Sequence, residues 1–242
     1  MNYCIINGKK STMVKGLMIQ SLPPFTKPLM RTRIEEIDGR DGDIVTKLGY
    51  SAYTKEMSIG LFGDFDISEV IEYFNSEGQI IFSNELDKYY KFKIIDQIDY
   101  ERLAKFRQAT VKFHVQPFKY STVSEEIPVY SMTLREKTVF NRGNVYSRPT
   151  IALLIPQQTF VLTLNGEKSL TINAPTDNFG IVIDLEKMNA YNNDRTAYLN
   201  RYVSGNLEDF VFKPRENVLT WSDRVDPTKE WSMGILNYSR WI

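Results

Sequence analysis

Residues 160–172 read Phe-Val-Leu-Thr-Leu-Asn-Gly-Glu-Lys-Ser-Leu-Thr-Ile. Two short apolar stretches flank Asn165-Gly166, a dipeptide that tolerates the positive φ angles of a tight hairpin turn. Residues rich in Val, Ile, Thr and Phe on either side of such a turn are typical of strands. The stretch therefore predicts a β-hairpin.

The same signals recur along the chain. Four other short segments are predicted strands: three show alternation with a period of two, the spacing of a half-buried strand, and Phe179–Ile183 is a further short strand. A second turn dipeptide, Asn7-Gly8, lies near the N-terminus. The four segments are Met57–Leu61, Tyr90–Ile94, Val111–Val115 and Phe179–Ile183. So many strands with turns between them predict a mainly β fold built as sandwiches or barrels.

One helix is well signalled within the first half. Asp66 is placed as its N-cap with Glu69 at the third helical position, and Gly78 is expected just past its end. Its apolar stripe comprises Ile67, Val70, Ile71 and Phe74. We expect one helix packed against a sheet.

The most natural domain boundary falls in the polar segment from Gln116 to Glu126. We expect an N-terminal domain at 1–126 and a C-terminal domain at 127–242. The first carries 17 basic and 18 acidic residues and the second 13 and 12. Neither half has the basic excess that binding to nucleic acid by bulk electrostatics requires.

Composition narrows the function further. The 242 residues include 30 Lys and Arg, 30 Asp and Glu, one His and one Cys. A single Cys forms no internal disulfide, and one His with one Cys excludes most metal sites built from those ligands. The N-terminus lacks a signal peptide, and the longest aliphatic run, Ile151–Ile155, is far too short to span a membrane. We expect no cofactor and no enzymatic activity.

The residues able to do chemistry favour structural roles. His114 lies on the polar side of a predicted strand, and Cys4 is expected to be a small buried residue. The segment Asp38–Asp43 lacks the ligand positions of a calcium loop. The close pair Asp184 and Glu186 is interpreted as solvated acids, because carboxylate catalysis needs pKa values driven apart by burial.

The order of motifs resembles the distal tail proteins (Dit) of long-tailed siphovirus phages that infect Gram-positive bacteria. The motifs, in order, are the opening Tyr-Cys-Ile-Ile-Asn-Gly-Lys, the Gly39-Arg40-Asp41-Gly42 loop, the capped helix, Pro117-Phe118-Lys-Tyr120, Asn141-Arg-Gly143, Ser147-Arg-Pro149 and the closing Ser239-Arg240-Trp241. The chain departs from the family at Pro214-Arg215-Glu216-Asn217, where a Pro-Gly-x-Asn turn is common. We take Gly39, Arg40, Asp41, Gly42, Pro117, Phe118, Asn141, Gly143, Pro149 and Trp241 as candidate interface residues.

The resemblance implies a fold and an assembly. An N-terminal belt domain, a β-sandwich or barrel with one packed helix, would form a hexameric ring, single or stacked in pairs. A galectin-like C-terminal sandwich would point outward. Such a ring is a structural hub at the virion's tail tip, assembled in the host cytoplasm. It joins the tail tube protein to the tail-associated lysin, baseplate and receptor-binding proteins.

Two other functions remain open at this point. A carbohydrate-binding tail protein would contact the host wall through Trp231, Trp241 or the Tyr191–Tyr198 loop. The galectin sugar-binding signature is absent, since no His-x-Asn-x-Arg or Trp-x-x-Glu pattern occurs. A wall-degrading hydrolase lacks the expected catalytic groups.

Overall fold

The computed structural model describes residues 1–129, 135–156, 158–222 and 231–242. The chain divides into two compact units, one comprising Met1–Thr122 with Ile242 and the other Val123–Trp241. Each unit encloses its own cluster of buried apolar side chains. The predicted mainly β fold is confirmed. The domain roles expected for 1–126 and 127–242 stay predictions.

The first unit is one antiparallel sheet, a separate two-stranded ribbon and two short helices. Its strands are β1 (Cys4–Ile6), β2 (Lys9–Lys10), β3 (Leu17–Ser21), β4 (Met30–Glu36), β5 (Asp43–Tyr50), β6 (Tyr53–Leu61), β7 (Glu77–Phe82), β8 (Lys88–Lys93) and β9 (Gln108–Ser121). Its helices are α1 (Ile67–Phe74) and α2 (Tyr100–Phe106), and Ser11–Met13 form a 3₁₀ turn. The sheet runs in the order β2-β1-β7-β8-β9-β6-β3, and β4 pairs with β5.

The sheet's inner face supplies the core of the first unit. Met57 and Ile59 of β6 and Val111, Phe113 and Val115 of β9 have no solvent exposure, which confirms the predicted alternation. The rings of several aromatic residues meet edge-on around Phe113. Edge-to-face contacts of this kind add to the stabilisation that burial gives.

Helix α1 has the predicted bounds at its start. The Asp66 carboxylate accepts hydrogen bonds from the backbone N–H groups of Ser68 and Glu69, which satisfies two donors that a helix otherwise leaves unpaired. Val70 and Phe74 are buried, whereas Ile71 is 39% exposed. The apolar stripe is therefore narrower than the sequence predicts.

Gly78 does not end the helix, contrary to the prediction. It lies within β7 with φ +136°, and a Cβ there would stand 2.3 Å from the side-chain oxygen of Asn7. Asn7 accepts a hydrogen bond from the Gln79 N–H and donates one to the Glu77 carbonyl. The glycine thus makes room for the side chain that joins the first turn to β7.

Strand β9 continues through the first half of the predicted linker. It pairs with β8 as far as Lys88↔Ser121, with a shift of register between Tyr90 and Phe92. Pro117 lies in the shifted segment, since Phe92 is opposite Val115 and Tyr90 is opposite Lys119. A bulge is one of the few places in a sheet that tolerates a residue without an N–H.

The second unit is a sandwich of two antiparallel sheets. Its strands are β10 (Glu125–Val129), β11 (Glu136–Asn141), β12 (Thr150–Ile155), β13 (Thr159–Leu164), β14 (Lys168–Asn173), β15 (Phe179–Asp184), β16 (Asn189–Tyr191), β17 (Val203–Ser204), β18 (Arg215–Trp221), β19 (Ser232–Asn237) and β20 (Arg240–Trp241), with a 3₁₀ turn at Asn200–Tyr202. One sheet has the order β10-β19-β12-β15-β16 and the other β11-β18-β13-β14-β17. Side chains of both sheets share one buried cluster.

The predicted hairpin at residues 160–172 is confirmed as β13 and β14. We call this pair of strands the core hairpin. Asn165 has φ 54° and Gly166 φ 70°, as a tight hairpin turn requires. One face of the hairpin is fully buried, because Phe160, Leu162 and Leu170 have no solvent exposure.

Arg215 occupies the position where the sequence departs from the common Pro-Gly-x-Asn turn. It keeps the left-handed backbone that a glycine would favour, with φ 78°. The buried side chain of Asn217 braces this turn, because it accepts from the Lys213 N–H and donates to the carbonyls of Lys213 and Arg215.

Candidate assembly surface

Strands β4 and β5 form an antiparallel ribbon that we call the exposed hairpin. Their register runs from Met30↔Tyr50 at the root to Glu36↔Asp43 at the tip. A shift of register between Arg31 and Thr32 bends the ribbon near its root. In the part of the chain that the structure describes, β4 and β5 pair only with each other.

Apolar side chains of the exposed hairpin face solvent. Ile34 lies opposite Val45, and the two are 58% and 56% exposed; Leu48 is 54% exposed and Ile37 46%. Cross-strand pairs of this kind stabilise a sheet by covering each other. Here they also leave an apolar strip on an element over which no layer is packed within the described part of the chain.

Charge is segregated along the exposed hairpin. The root half carries Arg31, Arg33 and Lys47. The tip carries five acids against one Arg, namely Glu35, Glu36, Asp38, Asp41 and Asp43 against Arg40. Glu36 lies directly opposite Asp43, and like charges in that position destabilise a ribbon. The Arg33–Glu35 ion pair at 2.8 Å offsets part of this repulsion.

The candidate residues Gly39, Arg40, Asp41 and Gly42 form the loop at the tip. Gly39 and Gly42 both have φ +80°, and a Cβ at either would meet nothing within 4 Å. Backbone conformation is therefore what these positions require of glycine, because L side chains rarely adopt that φ. The Arg40 N–H donates to the Ile37 carbonyl at 3.1 Å and closes the turn.

The candidate residue Phe118 anchors the root of the exposed hairpin. Its buried ring meets the ring of Tyr50, the last residue of β5, edge-on with centroids 5.7 Å apart. The Ser51 N–H donates to the Leu29 carbonyl at 2.9 Å and fixes the other side of the root. Two residues on, Tyr120 stacks on Tyr89 with centroids 5.4 Å apart. Within the Pro-aromatic-x-Tyr motif, Phe118 thus contacts the ribbon's base and Tyr120 contacts β8.

A buried lysine secures the segment that leads into β4. Lys55 is 3% exposed, and its Nζ donates to the Pro24 carbonyl at 2.7 Å. The rings of Tyr53 and Tyr90 flank its ammonium at 5.5 and 5.0 Å. Burial, with the nearby Lys119 charge, lowers the pKa of Lys55 to about 8, because both disfavour its charged form.

The candidate residues Asn141 and Gly143 build a turn inside the second unit. The Asn141 side chain donates to the carbonyls of Val145 and Phe212 and accepts from the Gly143 N–H. A Cβ on Gly143 would stand 2.0 Å from the Arg240 carbonyl oxygen. Asn144 donates to that same oxygen. Only glycine lets the two backbones approach so closely.

Pro149 and Trp241 complete the candidate set. Pro149 is buried, and its carbonyl accepts from the Leu185 N–H. Trp241 is half-buried. The candidates therefore fall into two groups, one at the tip and root of the exposed hairpin and one that shapes the second unit.

Cys4 and His114 occupy strand positions that fit the predictions. Cys4 has no solvent exposure, and burial raises the pKa of its thiol to about 11. Its Sγ lies 3.5 Å from the Tyr73 hydroxyl. His114 lies half-buried opposite Thr54 on β6 and Lys93 on β8. A thiol that stays protonated is a poor nucleophile.

Asp184 is not a solvated acid, contrary to the prediction. It is 5% exposed, accepts a hydrogen bond from the Lys187 N–H at 3.0 Å and lies 3.7 Å from Arg195. Glu186 instead pairs with Arg240 at 2.8 Å. The two acids have separate structural partners.

The tryptophans give a second correction. Trp221 and Trp231 are 7% and 5% exposed, with ring centroids 5.6 Å apart in the core of the second unit. Trp231 therefore offers no surface to a sugar. Among the described residues no three His, Cys, Asp or Glu side chains are arranged to hold a metal ion. None of the helices described is long and apolar enough to cross a membrane.

Sequence reasoning located the tip loop but missed the hairpin beneath it. Residues 30–36 and 43–50 mix charged and apolar side chains on both faces, so they lack the alternation that reveals a half-buried strand. Helix α2 was also missed, although Asp99 caps it by accepting from the Arg102 N–H. The acidic Asp99 and Glu101 at its start are the signal that marks it.

Comparison with known proteins gives a fold but no sequence family. No family model matches the chain, and no curated protein matches it. The solved structure of the Dit protein of phage SPP1, described as a paradigm of the hub adsorption apparatus in phages infecting Gram-positive bacteria, matches with 16% identity, a TM-score of 0.67 and full coverage of both chains.

Two structures of the phage P2 baseplate in its activated conformation are more distant. The one with Ca is 10% identical with a TM-score of 0.47, and the one with Sr is 12% identical with a TM-score of 0.48; each match covers 98% of both chains. These two carry no argument here. The SPP1 match confirms, at the level of the fold, the resemblance to the distal tail proteins that the sequence predicts.

Proposed function

We propose that this chain is a structural, non-enzymatic subunit of a phage tail tip, and that six copies close into a ring. The observation that carries the proposal is the exposed hairpin, a two-stranded ribbon whose apolar residues face solvent. An isolated two-stranded hairpin is marginally stable in water. Exposed apolar surface on such an element is typical of an interface with another chain.

The geometry of the hairpin favours a ring over a symmetric pair. A ribbon anchored at one end presents its tip and its root as different surfaces, acidic at the tip and basic at the root. A contact between unlike surfaces on identical chains is heterologous, and it closes into a ring when the rotation between subunits allows. Ring closure also buries the strand edges that a single copy leaves open.

The likeness of the fold supports a set of proposed partners. SPP1 Dit, whose fold the chain shares, is described as part of a hub adsorption apparatus. On this basis we assign the ring to the virion. One face would meet the tail tube, and the other would receive baseplate and receptor-binding proteins. The neutral net charge suits partners that are proteins rather than nucleic acid.

Light scattering coupled to size-exclusion chromatography, with negative-stain imaging, tests the ring. The expected mass is about six times the chain mass of 28.2 kDa, or twice that for stacked rings, in particles with a central hole. A monomer at every concentration would contradict the proposal.

A charge substitution on the ribbon shows which surface forms the ring. Val45→Asp places a carboxylate in the exposed apolar strip and is expected to shift the protein to monomers without loss of folded structure. Phe140→Asp alters an equally exposed apolar residue, 51% accessible on β11 of the second unit, and is expected to leave the ring intact. Monomers for Phe140→Asp together with an intact ring for Val45→Asp would indicate an interface on the second unit instead.

A further inference from the structure

The second unit carries an exposed aromatic pair outside its core. Tyr191 ends β16, and Tyr198 pairs with it in an isolated β-bridge. Their ring centroids lie 5.1 Å apart with the planes inclined by 37°. Tyr198 is 69% exposed, whereas Tyr191 is half-buried behind it. The exposed ring of Tyr198 is therefore accessible to a ligand.

The loop between the two tyrosines is held in one shape by its own side chains. The Asn192 side chain accepts hydrogen bonds from the Thr196 and Ala197 N–H groups and donates to the Thr196 hydroxyl. Backbone bonds link Asn192 to Ala197 and Arg195. Because these bonds exist before any ligand arrives, binding here would cost little ordering of the loop.

Two polar side chains stand on the same loop. The exposed Asn193 amide lies over Gly180, where a Cβ would come within 2.4 Å of its Nδ2. Arg195 has a left-handed backbone, with φ 55°, and its side chain is 47% exposed. Its guanidinium lies 3.7 Å from Asp184, and this one contact does not use all five of its N–H donors.

The sheet beside the tyrosines carries two small residues on the same face. Tyr191 is paired with Val182, Val182 with Ala152, and Ala152 with Gly234, so these four positions share one face in a row across the sheet. Val182 is buried and Ala152 is exposed, and a Cβ at Gly234 would meet nothing within 4 Å.

We propose that Tyr198 and Tyr191, with Asn193 and Arg195, form a binding site for a pyranose unit of a polysaccharide. The C–H face of a sugar ring packs on the electron-rich face of an aromatic ring. The amide and the guanidinium pair with hydroxyl or carboxylate oxygens around the sugar's edge.

The features favour a saccharide over a protein partner. The apolar surface is a single ring face beside a polar loop, rather than the contiguous apolar patch of a protein interface. This proposal rests on residues of the second unit, so it stands or fails separately from the ring.

Binding of fluorescently labelled tetrasaccharides of glucose, galactose, rhamnose and N-acetylglucosamine to the full-length protein tests the site, with microscale thermophoresis as the readout. We expect at least one probe to bind. Tyr198→Ala is expected to weaken that binding about tenfold, the effect of losing one aromatic contact, and Tyr198→Phe to keep it within about twofold because the ring remains.

Tyr238→Ala is the matched control, since Tyr238 is an exposed tyrosine elsewhere in the second unit, and it is expected to bind like the unmodified protein. Far-UV circular dichroism checks that each variant is folded. Absence of binding by all four probes overturns the proposal, as does equal binding by Tyr198→Ala.

Discussion

The two hairpins of this protein are built from similar strands and differ in what covers them. The core hairpin buries Phe160, Leu162 and Leu170 completely, and its other face is polar. The exposed hairpin sets Ile34 opposite Val45 with more than half of each side chain in solvent. Turn chemistry is alike in both, since glycines with positive φ lie in each loop.

The difference shows that local sequence makes a hairpin but burial stabilises it. In the core hairpin the second sheet of the sandwich removes the apolar face from water, which contributes about 25 cal/mol per Å². In the exposed hairpin no described element of the same chain does this. Its folded shape therefore depends on its anchored root and, in our proposal, on neighbouring copies.

Truncating one apolar residue in each hairpin gives the largest expected contrast. Leu162→Ala removes a fully buried side chain and is expected to destabilise the second unit by about 2–5 kcal/mol. Ile34→Ala is expected to change the stability of the monomer by less than about 0.5 kcal/mol. Urea unfolding followed by tryptophan fluorescence measures the first, and tyrosine fluorescence measures the second. Equal losses would mean that a layer covers the exposed hairpin.

Gly143→Ala tests how tightly the second unit closes on itself. The new Cβ would collide with the Arg240 carbonyl oxygen, which is backbone and cannot rotate away. Overpacking of this kind costs about 1–3 kcal/mol, so the urea midpoint of the tryptophan transition is expected to fall. Gly234→Ala, where a Cβ meets nothing within 4 Å, is the control and is expected to leave that midpoint nearly unchanged.

The buried lysine at the root of the exposed hairpin gives the first unit a distinctive pH dependence. The pKa of Lys55 is about 8 in the folded protein against 10.5 when unfolded. Between these values the unfolded chain binds more protons, so this residue makes stability rise with pH. Below pH 8 both states are protonated and the cost of the buried charge is present in full.

Lys55→Met removes that dependence while keeping an apolar side chain of similar length. The stability of the unmodified protein minus that of the variant is expected to grow by about 1 kcal/mol from pH 8 to pH 9. Urea unfolding of both proteins at each pH measures it, and the other titrating groups cancel in the difference. A constant difference would show that the ammonium is solvated in the folded state.

Replacing a turn glycine with alanine is expected to destabilise the two hairpins to different extents, and the difference is smaller than in the preceding tests. Gly166→Ala forces a left-handed alanine into the core hairpin and is expected to cost about 1 kcal/mol in the tryptophan transition. Gly39→Ala imposes the same strain on the exposed tip. There we expect less than about 0.5 kcal/mol in the monomer and a lower fraction of rings by light scattering. If Gly39→Ala destabilised the monomer as much as Gly166→Ala does, the conformation of the tip would be shown to contribute to the stability of the first unit.

Arg215→Gly is expected to have the smallest effect on the free energy of unfolding, and to increase it where the other substitutions decrease it. Glycine adopts φ 78° without strain, so the second unit gains up to about 1 kcal/mol, less the greater entropy of a glycine in the unfolded chain. Urea unfolding followed by tryptophan fluorescence measures the gain. A loss of stability would show that the arginine side chain stabilises the turn that Asn217 braces.

Much of the fold could be predicted from the sequence, because a strand with one buried face shows an alternation of apolar and polar residues. The strands that carry Met57, Val111 and Leu162 each have one more exposed and one buried face, and the Asp66 N-cap marks the start of α1. The exposed hairpin could not be found this way, because neither of its faces is buried by the residues that the structure describes. Pro117 and Phe118 were identified only as part of a family-like motif, since their bulge and ring contact depend on β8 and Tyr50.

The site residues also divide into those that the sequence identifies and those whose roles depend on the folded structure. Gly39 and Gly42 indicate a loop with backbone freedom from residue type alone, whereas the roles of Gly143 and Lys55 depend on contacts with backbone from distant parts of the chain. Asp184 was misjudged for that reason, because its partners are the Lys187 N–H of the turn that follows and the Arg195 side chain of a separate loop.

In the proposed ring, the two edges of the exposed hairpin that no other described strand pairs with would make each copy a bifunctional monomer in the sense of polymer chemistry. Each copy can give one edge and receive another, so closed rings compete with open chains, as in any step-growth reaction. Dilution favours rings, because the reacting ends then meet within one assembly more often than between assemblies. Concentrated stocks are accordingly expected to contain filaments that revert to rings on dilution.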